Sequence, residues 1–67
     1  MILLNGQRCD LRAGETVVAA LAHLDLPRDA RGVAVAVDGE VVPRSTWETF
    51  ALPAGARVEV LAAMQGG

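Results

Sequence analysis

The chain opens with an apolar run, a turn dipeptide and a mostly polar return, an order that predicts a β-hairpin. Its centre is Asn5-Gly6, a dipeptide that favours a two-residue type I′ turn because both turn positions need positive φ. This turn aligns Leu4 with Gln7. Two residues further from the turn it aligns Ile2 with Cys9. Because side chains alternate across a strand, we expect Ile2, Leu4 and Cys9 to share the face that points into the core.

The next segment has apolar residues at helical spacing and predicts the single main helix of the fold. Its apolar stripe comprises Val17, Val18, Leu21 and Leu24. We expect Thr16 to be the N-cap, with its hydroxyl accepting a hydrogen bond from a first-turn amide. We expect the helix to end because of Pro27, since the residue before a proline is disfavoured in the α region.

The second half of the chain predicts three more strands. Residues 33–37 alternate valine with alanine, which indicates a strand with one bulky and one thin face. Asp38-Gly39 repeats the turn chemistry of the first hairpin. The returning strand should be short or at an edge, because Pro43 cannot donate to a ladder. Residues 56–61 alternate polar positions with valine, a pattern typical of a strand buried on one face.

The element order ββαβββ predicts an α+β fold of the ubiquitin-like β-grasp type. In this architecture a mixed sheet curls around one main helix, and the last strand lies parallel to the first. We therefore expect a β-grasp domain over residues 1–61 and a flexible tail over residues 62–67. The tail ends in Gly-Gly, and glycine is costly to order because it has no Cβ to restrict φ and ψ.

Composition, charge and cysteine content mainly exclude functions. The 67 residues are 52% hydrophobic, which is enough for one globular domain. A net charge of −2 and few aromatic residues make nucleic acid an unexpected partner. One cysteine allows no intrachain disulfide and no cysteine-ligated metal site, and it favours a reducing, cytoplasmic setting. No apolar run approaches the ~20 residues of a membrane span, so no membrane partner is expected.

The candidate chemistry lies in Gly66-Gly67, which follow the last predicted strand. One interpretation is a frayed terminus of no functional consequence. The other is a slim arm that threads a carboxylate into the active site of a second protein. No carboxylate pair, Ser/His/Asp set or phosphate loop is visible in the sequence. We therefore expect the chain to act with an enzyme and not to be one.

Three segments together carry a resemblance to a known family: Gly14-Glu15-Thr16-Val17 at the helix entry, Val41-Val42-Pro43-Arg44-Ser45-Thr46-Trp47, and the final Gly-Gly. With the β-grasp order, they make the whole chain resemble the ThiS family, the sulfur carrier proteins of thiamin biosynthesis. The chain departs from the family at Gly55-Ala56, where Gly-Asp is usual. It also departs at Met64-Gln65, where small apolar residues are usual.

The resemblance implies a sulfur carrier that is a substrate of other enzymes. An E1-like adenylyltransferase of the ThiF type would use Mg-ATP to adenylate the carboxylate of Gly67. A sulfur donor such as a cysteine desulfurase persulfide would convert it to a thiocarboxylate, and a thiazole synthase of the ThiG type would take the sulfur. Gly66, Gln65 and Met64 would thread into the partners' active sites. Neither a bound cofactor nor a metal ion is implied.

A docking surface for these partners is a further expectation. Leu3 and Leu61, together with Met64, are expected to form an exposed apolar patch that leads to the tail. Trp47 is either an anchor for a partner, since tryptophan is enriched at interface hot spots, or a ring packed over Pro43 or the sheet edge.

Alternative functions with the same fold remain open. They are the small subunit of molybdopterin synthase, a carrier for another sulfur-containing metabolite, and a non-covalent β-grasp binding module in which the glycine pair has no role.

Overall fold

The structure is a computed structural model that describes residues 1–27 and 31–62. Its elements are β1 (Ile2–Leu4), β2 (Gln7–Cys9), α1 (Val17–His23), β3 (Val33–Val37), β4 (Glu40–Val41), a 3₁₀ turn (Arg44–Thr46) and β5 (Arg57–Ala62). The strands form one sheet in the order β2-β1-β5-β3-β4, in which β1 and β5 are parallel and the other pairs antiparallel. This arrangement confirms the predicted mixed β-grasp sheet, with β5 at its centre.

Both predicted hairpin turns are present. In the first, Asn5 and Gly6 have φ of 52° and 84°, and β1 pairs with β2 in the predicted register. In the second, Asp38 and Gly39 have φ of 52° and 88°. Left-handed backbone at both central positions is the signature of a type I′ turn, so the two turns have the same conformation.

The helix begins at the predicted place, but its first amides are capped by a different group from the one predicted. Thr16 is the N-cap residue, yet its side chain makes no capping hydrogen bond. Instead, the Val17 amide donates to the Phe50 carbonyl at 3.3 Å, and the Val18 amide donates to the Trp47 carbonyl at 3.4 Å. Backbone carbonyls of a distant segment thus satisfy first-turn amides that the sequence assigned to a hydroxyl.

The prediction that Pro27 ends the helix is wrong. The last helical residue is His23, and Asp25 has a φ of 60°. The amide of Leu26 then donates to the carbonyl of Leu21 at 2.9 Å. A left-handed residue followed by such a backward hydrogen bond ends a helix on its own, before the proline is reached. The helix therefore has seven residues and is shorter than predicted.

One hydrophobic core lies between the sheet and α1. Its fully buried members are Ile2, Leu4, Leu11, Val17, Ala20, Leu21, Val35, Val37, Val42, Trp47, Leu52, Ala56, Val58 and Val60. The helix contributes Val17, Ala20 and Leu21, whereas Val18 and Leu24 of the predicted stripe are half-buried. In the part of the chain that the structure describes, no helix has the length and apolar character needed to cross a membrane.

Candidate functional site

β5 carries the chain towards Gly66 and Gly67, so the end of this strand is the described part of the candidate site. The last predicted strand, 56–61, is observed as Arg57–Ala62. Gly66 and Gly67, with Gln65 and Met64, lie outside the described residues, and their roles remain predictions. The neighbours of β5 show how the chain is held before it reaches them.

On its β1 side, β5 is held by a ladder that ends in a side chain. The Leu3 amide donates to the Ala56 carbonyl at 3.0 Å, and the Asn5 amide donates to the Val58 carbonyl at 2.8 Å. The next bond of the ladder runs from the Val60 amide to Asn5 Oδ1 at 2.8 Å. The side-chain oxygen thus occupies the place where a continuing parallel strand would offer its main-chain carbonyl.

On its β3 side, β5 begins with the same kind of contact. The Asp38 amide donates to the Arg57 carbonyl at 2.8 Å, and the Arg57 amide donates to Asp38 Oδ1 at 3.0 Å. The first residue of each type I′ turn therefore uses a side-chain oxygen to accept a β5 amide. This role was not predicted from the sequence. Asparagine and aspartate in turns commonly accept hydrogen bonds from nearby backbone amides, which hints at the role. Which strand donates the amide depends on the tertiary fold.

The outward face of the sheet carries exposed apolar side chains near the end of β5. Leu61 is 67% exposed and lies opposite Ala34, while Val41 is 74% exposed and lies opposite Ala36. We call these four residues the outer-face patch. Because the β3 residues are small, Leu61 and Val41 stand above them and are accessible to another protein, and exposed Glu59, which lies opposite Ala36, borders the patch.

Leu3 does not belong to this patch. It lies opposite Arg57, so Leu61 is four residues further along β5, or about 13 Å away at the usual rise per residue. The exposed side chains of Arg57 and Glu59 lie on the same face between them. The single patch of Leu3 and Leu61 expected from the sequence is therefore interrupted by charges, and its third member, Met64, is outside the described residues.

Trp47 is a core residue and cannot be the partner anchor that was one of its two predicted roles. It is 2% exposed, and its indole Nε1 donates to the Val42 carbonyl at 2.9 Å. The guanidinium carbon of Arg44 lies 5.2 Å from the ring centroid, within cation–π range. A ring enclosed in this way presents no surface to a partner; it lies in the hydrophobic core, whereas the predicted alternative was packing over Pro43 or the sheet edge.

Cys9 and His23 border a groove of about 350 Å³ between the first hairpin and the end of α1. Cys9 is half-buried against the core, and its Sγ lies 3.5 Å from the Ile2 carbonyl as a weak donor. His23 is exposed in the last turn of the helix. Over residues 1–27 and 31–62, no group of histidine, cysteine and acidic side chains is arranged to hold a metal ion.

Comparison with known proteins finds one protein family and two kinds of relative. The ThiS family profile matches residues 2–67. A crystal structure of the thiamine biosynthesis protein ThiS from Geobacter metallireducens is 29% identical, with a TM-score of 0.72, covering 98% of this chain and 97% of that one. A solution structure of a thiamine biosynthesis protein from the same organism is 29% identical, with a TM-score of 0.75, covering 98% and 86%.

A curated relative is much longer than this chain. The thiazole synthase of Paramagnetospirillum magneticum is 35% identical over 66 residues, which is 98% of this chain. The chain spans only 20% of the length of that relative.

Proposed function

Since the chain belongs to the ThiS family, the small sulfur carriers of thiamin biosynthesis, we propose that the carboxyl group of Gly67 carries the sulfur. The observation that carries this proposal is the family match, which runs without interruption to Gly67. The fold supports it, because β5 is the central strand and leads directly into the residues before the glycine pair.

Activation of Gly67 requires an adenylating enzyme, because a carboxylate is a poor electrophile. A carboxylate oxygen attacks the α-phosphorus of ATP, the bond to the β-phosphate breaks, and pyrophosphate leaves. The acyl-adenylate has AMP as a good leaving group. An E1-like enzyme of the ThiF type supplies the nucleotide site and the Mg²⁺, and the carrier supplies only the carboxylate. This division of labour fits a family of small carriers that are not catalysts.

Sulfur enters by displacement of AMP. The terminal sulfur of a persulfide, such as one formed on a cysteine desulfurase, attacks the acyl carbon of Gly67. A thiol then cleaves the resulting S–S bond and ends as a disulfide, leaving a thiocarboxylate. A thiazole synthase of the ThiG type is the proposed acceptor. This partner is supported by the relative named thiazole synthase, in which a region similar to this chain makes up one fifth of the protein.

The glycine pair suits this chemistry for steric reasons. Gly67 has no side chain, so the nucleotide and the sulfur nucleophile approach its carbonyl carbon without obstruction. Gly66 allows the backbone to pass through a channel too narrow for a Cβ. Gln65 and Met64 would occupy the wider entrance to that channel.

The outer-face patch is the proposed docking surface for these enzymes. Exposed apolar residues grouped on one face commonly mark protein interaction sites, and Leu61 is the patch member nearest to the proposed tail along the chain. Docking through Leu61 and Val41 would place the tail beside the partner's surface at the moment of binding.

A reconstituted reaction tests the proposal. The purified chain is incubated with Mg-ATP, a ThiF-type enzyme, a cysteine desulfurase with cysteine, and a thiol, and thiocarboxylate is measured by mass spectrometry. We expect conversion of the wild-type chain, reduced conversion of Gly66→Ala and very little of Gly66→Val, with unchanged circular dichroism and melting temperature. Normal conversion of Gly66→Val would exclude the narrow channel. Equal conversion of a chain lacking Gly66 and Gly67 would exclude Gly67 as the sulfur site.

A further inference from the structure

The bond between Asn5 and Val60 replaces a missing part of the central β-ladder. In a parallel pair, a residue on one strand bonds to the two residues that flank its neighbour on the other. The Asn5 amide already donates to the Val58 carbonyl, so the regular partner of the Val60 amide is the main-chain carbonyl of Asn5. Asn5 has a φ of 52° and begins the turn, and the Val60 amide bonds to its side-chain Oδ1 at 2.8 Å instead.

The Val60 amide has no backbone acceptor on the β3 side of β5. In the antiparallel pair of β3 and β5, hydrogen-bonded and non-hydrogen-bonded residue pairs alternate. Asp38 and Arg57 form a bonded pair, so Val35 and Val60, three steps along, form a non-bonded pair. The Val60 amide therefore points towards β1. Val60 is buried, and an amide left unpaired there would carry a desolvation cost.

This bond is the last one on the β1 side of β5, as far as the described residues extend. Beyond Val60, β1 has already turned back into β2, and β5 is paired with β3 alone up to Ala62. Val60 is consequently the last described residue of β5 that is bonded on the β1 side, and the two residues after it are held from the β3 side alone.

We propose that Asn5 is a positioning residue for the sulfur-carrier reaction, acting through its side-chain bond to Val60 to direct the chain after Ala62 into the partner's active site. The inference rests on the proposed function of Gly67. The same turn at Asp38 supplies an internal comparison, because Asp38 Oδ1 accepts the Arg57 amide at the opposite end of β5, away from the tail.

The expected consequence is a change in apparent affinity. If the tail leaves the sheet in several directions, only a fraction of the carrier molecules is ready to bind, and the apparent dissociation constant rises by the inverse of that fraction. A carrier that does bind still presents the same glycine pair, so the rate of adenylation at saturation should not change. Partial unfolding of the carrier would raise KM in the same way, so a variant with a matched loss elsewhere in β5 has to separate positioning from stability.

Three variants make the test specific. Asn5→Gly keeps a residue that accepts positive φ and removes the acceptor oxygen. Asn5→Asp keeps an oxygen at the same place, and Asp38 shows that aspartate makes this contact in the same kind of turn. Asp38→Gly is the matched control, because it removes the side-chain oxygen that accepts a β5 amide at the start of that strand.

Two measurements are made on each variant. Amide hydrogen exchange by NMR follows Val60, and ATP–pyrophosphate exchange with a ThiF-type enzyme gives KM and kcat for the carrier. For Asn5→Gly we expect exchange at Val60 to be about tenfold faster. We expect its KM to rise about fivefold at a kcat within about twofold of wild type. Asn5→Asp should have the exchange rate at Val60 and the KM of the wild type. Asp38→Gly should leave KM within about twofold of wild type.

The inference is overturned if Asn5→Gly has a wild-type KM while the wild-type chain is adenylated normally. It is also overturned if Asp38→Gly raises KM as much as Asn5→Gly, because the effect would then follow general stability. An absence of adenylation in the wild-type chain overturns the proposed function and this inference with it. That outcome is distinct, because it is seen before any variant is compared.

Discussion

The two hairpins of this protein share a turn but differ in what holds their outer strands to the fold. Both have a type I′ turn, Asn5-Gly6 or Asp38-Gly39, and in both the first turn residue accepts a β5 amide through its side chain. Both inner strands have two buried residues, Ile2 and Leu4 in β1 and Val35 and Val37 in β3. The outer strand of the first hairpin also packs half-buried Cys9 against the core. In the second, both residues of the outer strand β4 are exposed.

The outer strand of the second hairpin is held by the residue that follows it. Val42 is buried, its amide donates to the Val35 carbonyl, and its own carbonyl accepts the indole hydrogen of Trp47. This difference leaves β4 free to present Val41 on the outer-face patch. A local turn motif therefore determines register, whereas the residues around the outer strand decide whether that strand packs against the core or presents an exposed surface.

The largest expected effect is on the buried inner strand of the first hairpin. Ile2 is fully buried, so Ile2→Ala should lower the free energy of unfolding by about 2–5 kcal/mol through lost burial and a cavity. Val41→Ala on the outer strand of the second hairpin removes an exposed side chain and should cost less than about 0.5 kcal/mol. Urea denaturation measures both. Similar losses in the two variants would contradict the proposed difference between a buried inner strand and an exposed outer strand.

A smaller loss is expected from the contact that holds the outer strand of the second hairpin. Trp47→Phe removes the indole N–H and leaves the buried Val42 carbonyl without this donor, which should cost about 1–3 kcal/mol. The change is measured by urea denaturation followed by circular dichroism, because replacing the tryptophan removes the fluorescence signal. If the phenylalanine variant were as stable as the wild type, the indole hydrogen bond to Val42 would not be what holds the outer strand of this hairpin.

The shared turn predicts equal effects at two places. Gly6 and Gly39 have φ of +84° and +88°, and a Cβ at either would meet no atom within 4 Å. Alanine at each should therefore lower stability by the left-handed backbone penalty alone, about 1–2 kcal/mol. Thermal or urea unfolding of the two single variants checks this equality. A markedly larger loss at one turn would show that the two turns are not equivalent.

The smallest effect on stability is expected at the outer-face patch. Leu61→Ser and Val41→Ser change exposed side chains and should shift the free energy of unfolding by no more than about 0.5 kcal/mol. Each should nevertheless weaken binding to the ThiF-type enzyme, which titration calorimetry measures. Gln7→Ser, exposed on the edge strand β2, is the control and should bind normally. Undiminished binding of both patch variants would remove this face from the docking surface.

The parts of the fold that were predicted correctly depend on local chemistry. Asn5-Gly6 and Asp38-Gly39 dictate their turns because few residues accept positive φ twice in succession, and the register of each hairpin follows. The parallel placement of β5 beside β1 followed from the element order. Interactions set by distant segments were not predictable in this way. The carbonyls that cap α1 come from residues 47 and 50, and the helix ends at His23, ahead of left-handed Asp25 and before Pro27 is reached.

The candidate site shows the same division. The exposure of Leu61 follows from alternation along β5, and the structure confirms it. The burial of Trp47 depends on how the segment after β4 folds back, so the sequence left two roles open. The contact from Asn5 to Val60 joins residues 55 positions apart, and no local pattern reveals such a pair. The roles of Gly66 and Gly67 remain predictions.

The most direct test of the central claim is the intact mass of the protein purified from the cells that make it, compared with a version lacking Gly66 and Gly67. We predict a species heavier by the difference between one sulfur and one oxygen atom. Fragmentation should place the added mass on Gly67, and the truncated version should lack it. If the wild-type protein showed only the unmodified mass under conditions of active thiamin synthesis, the sulfur-carrier account would be contradicted.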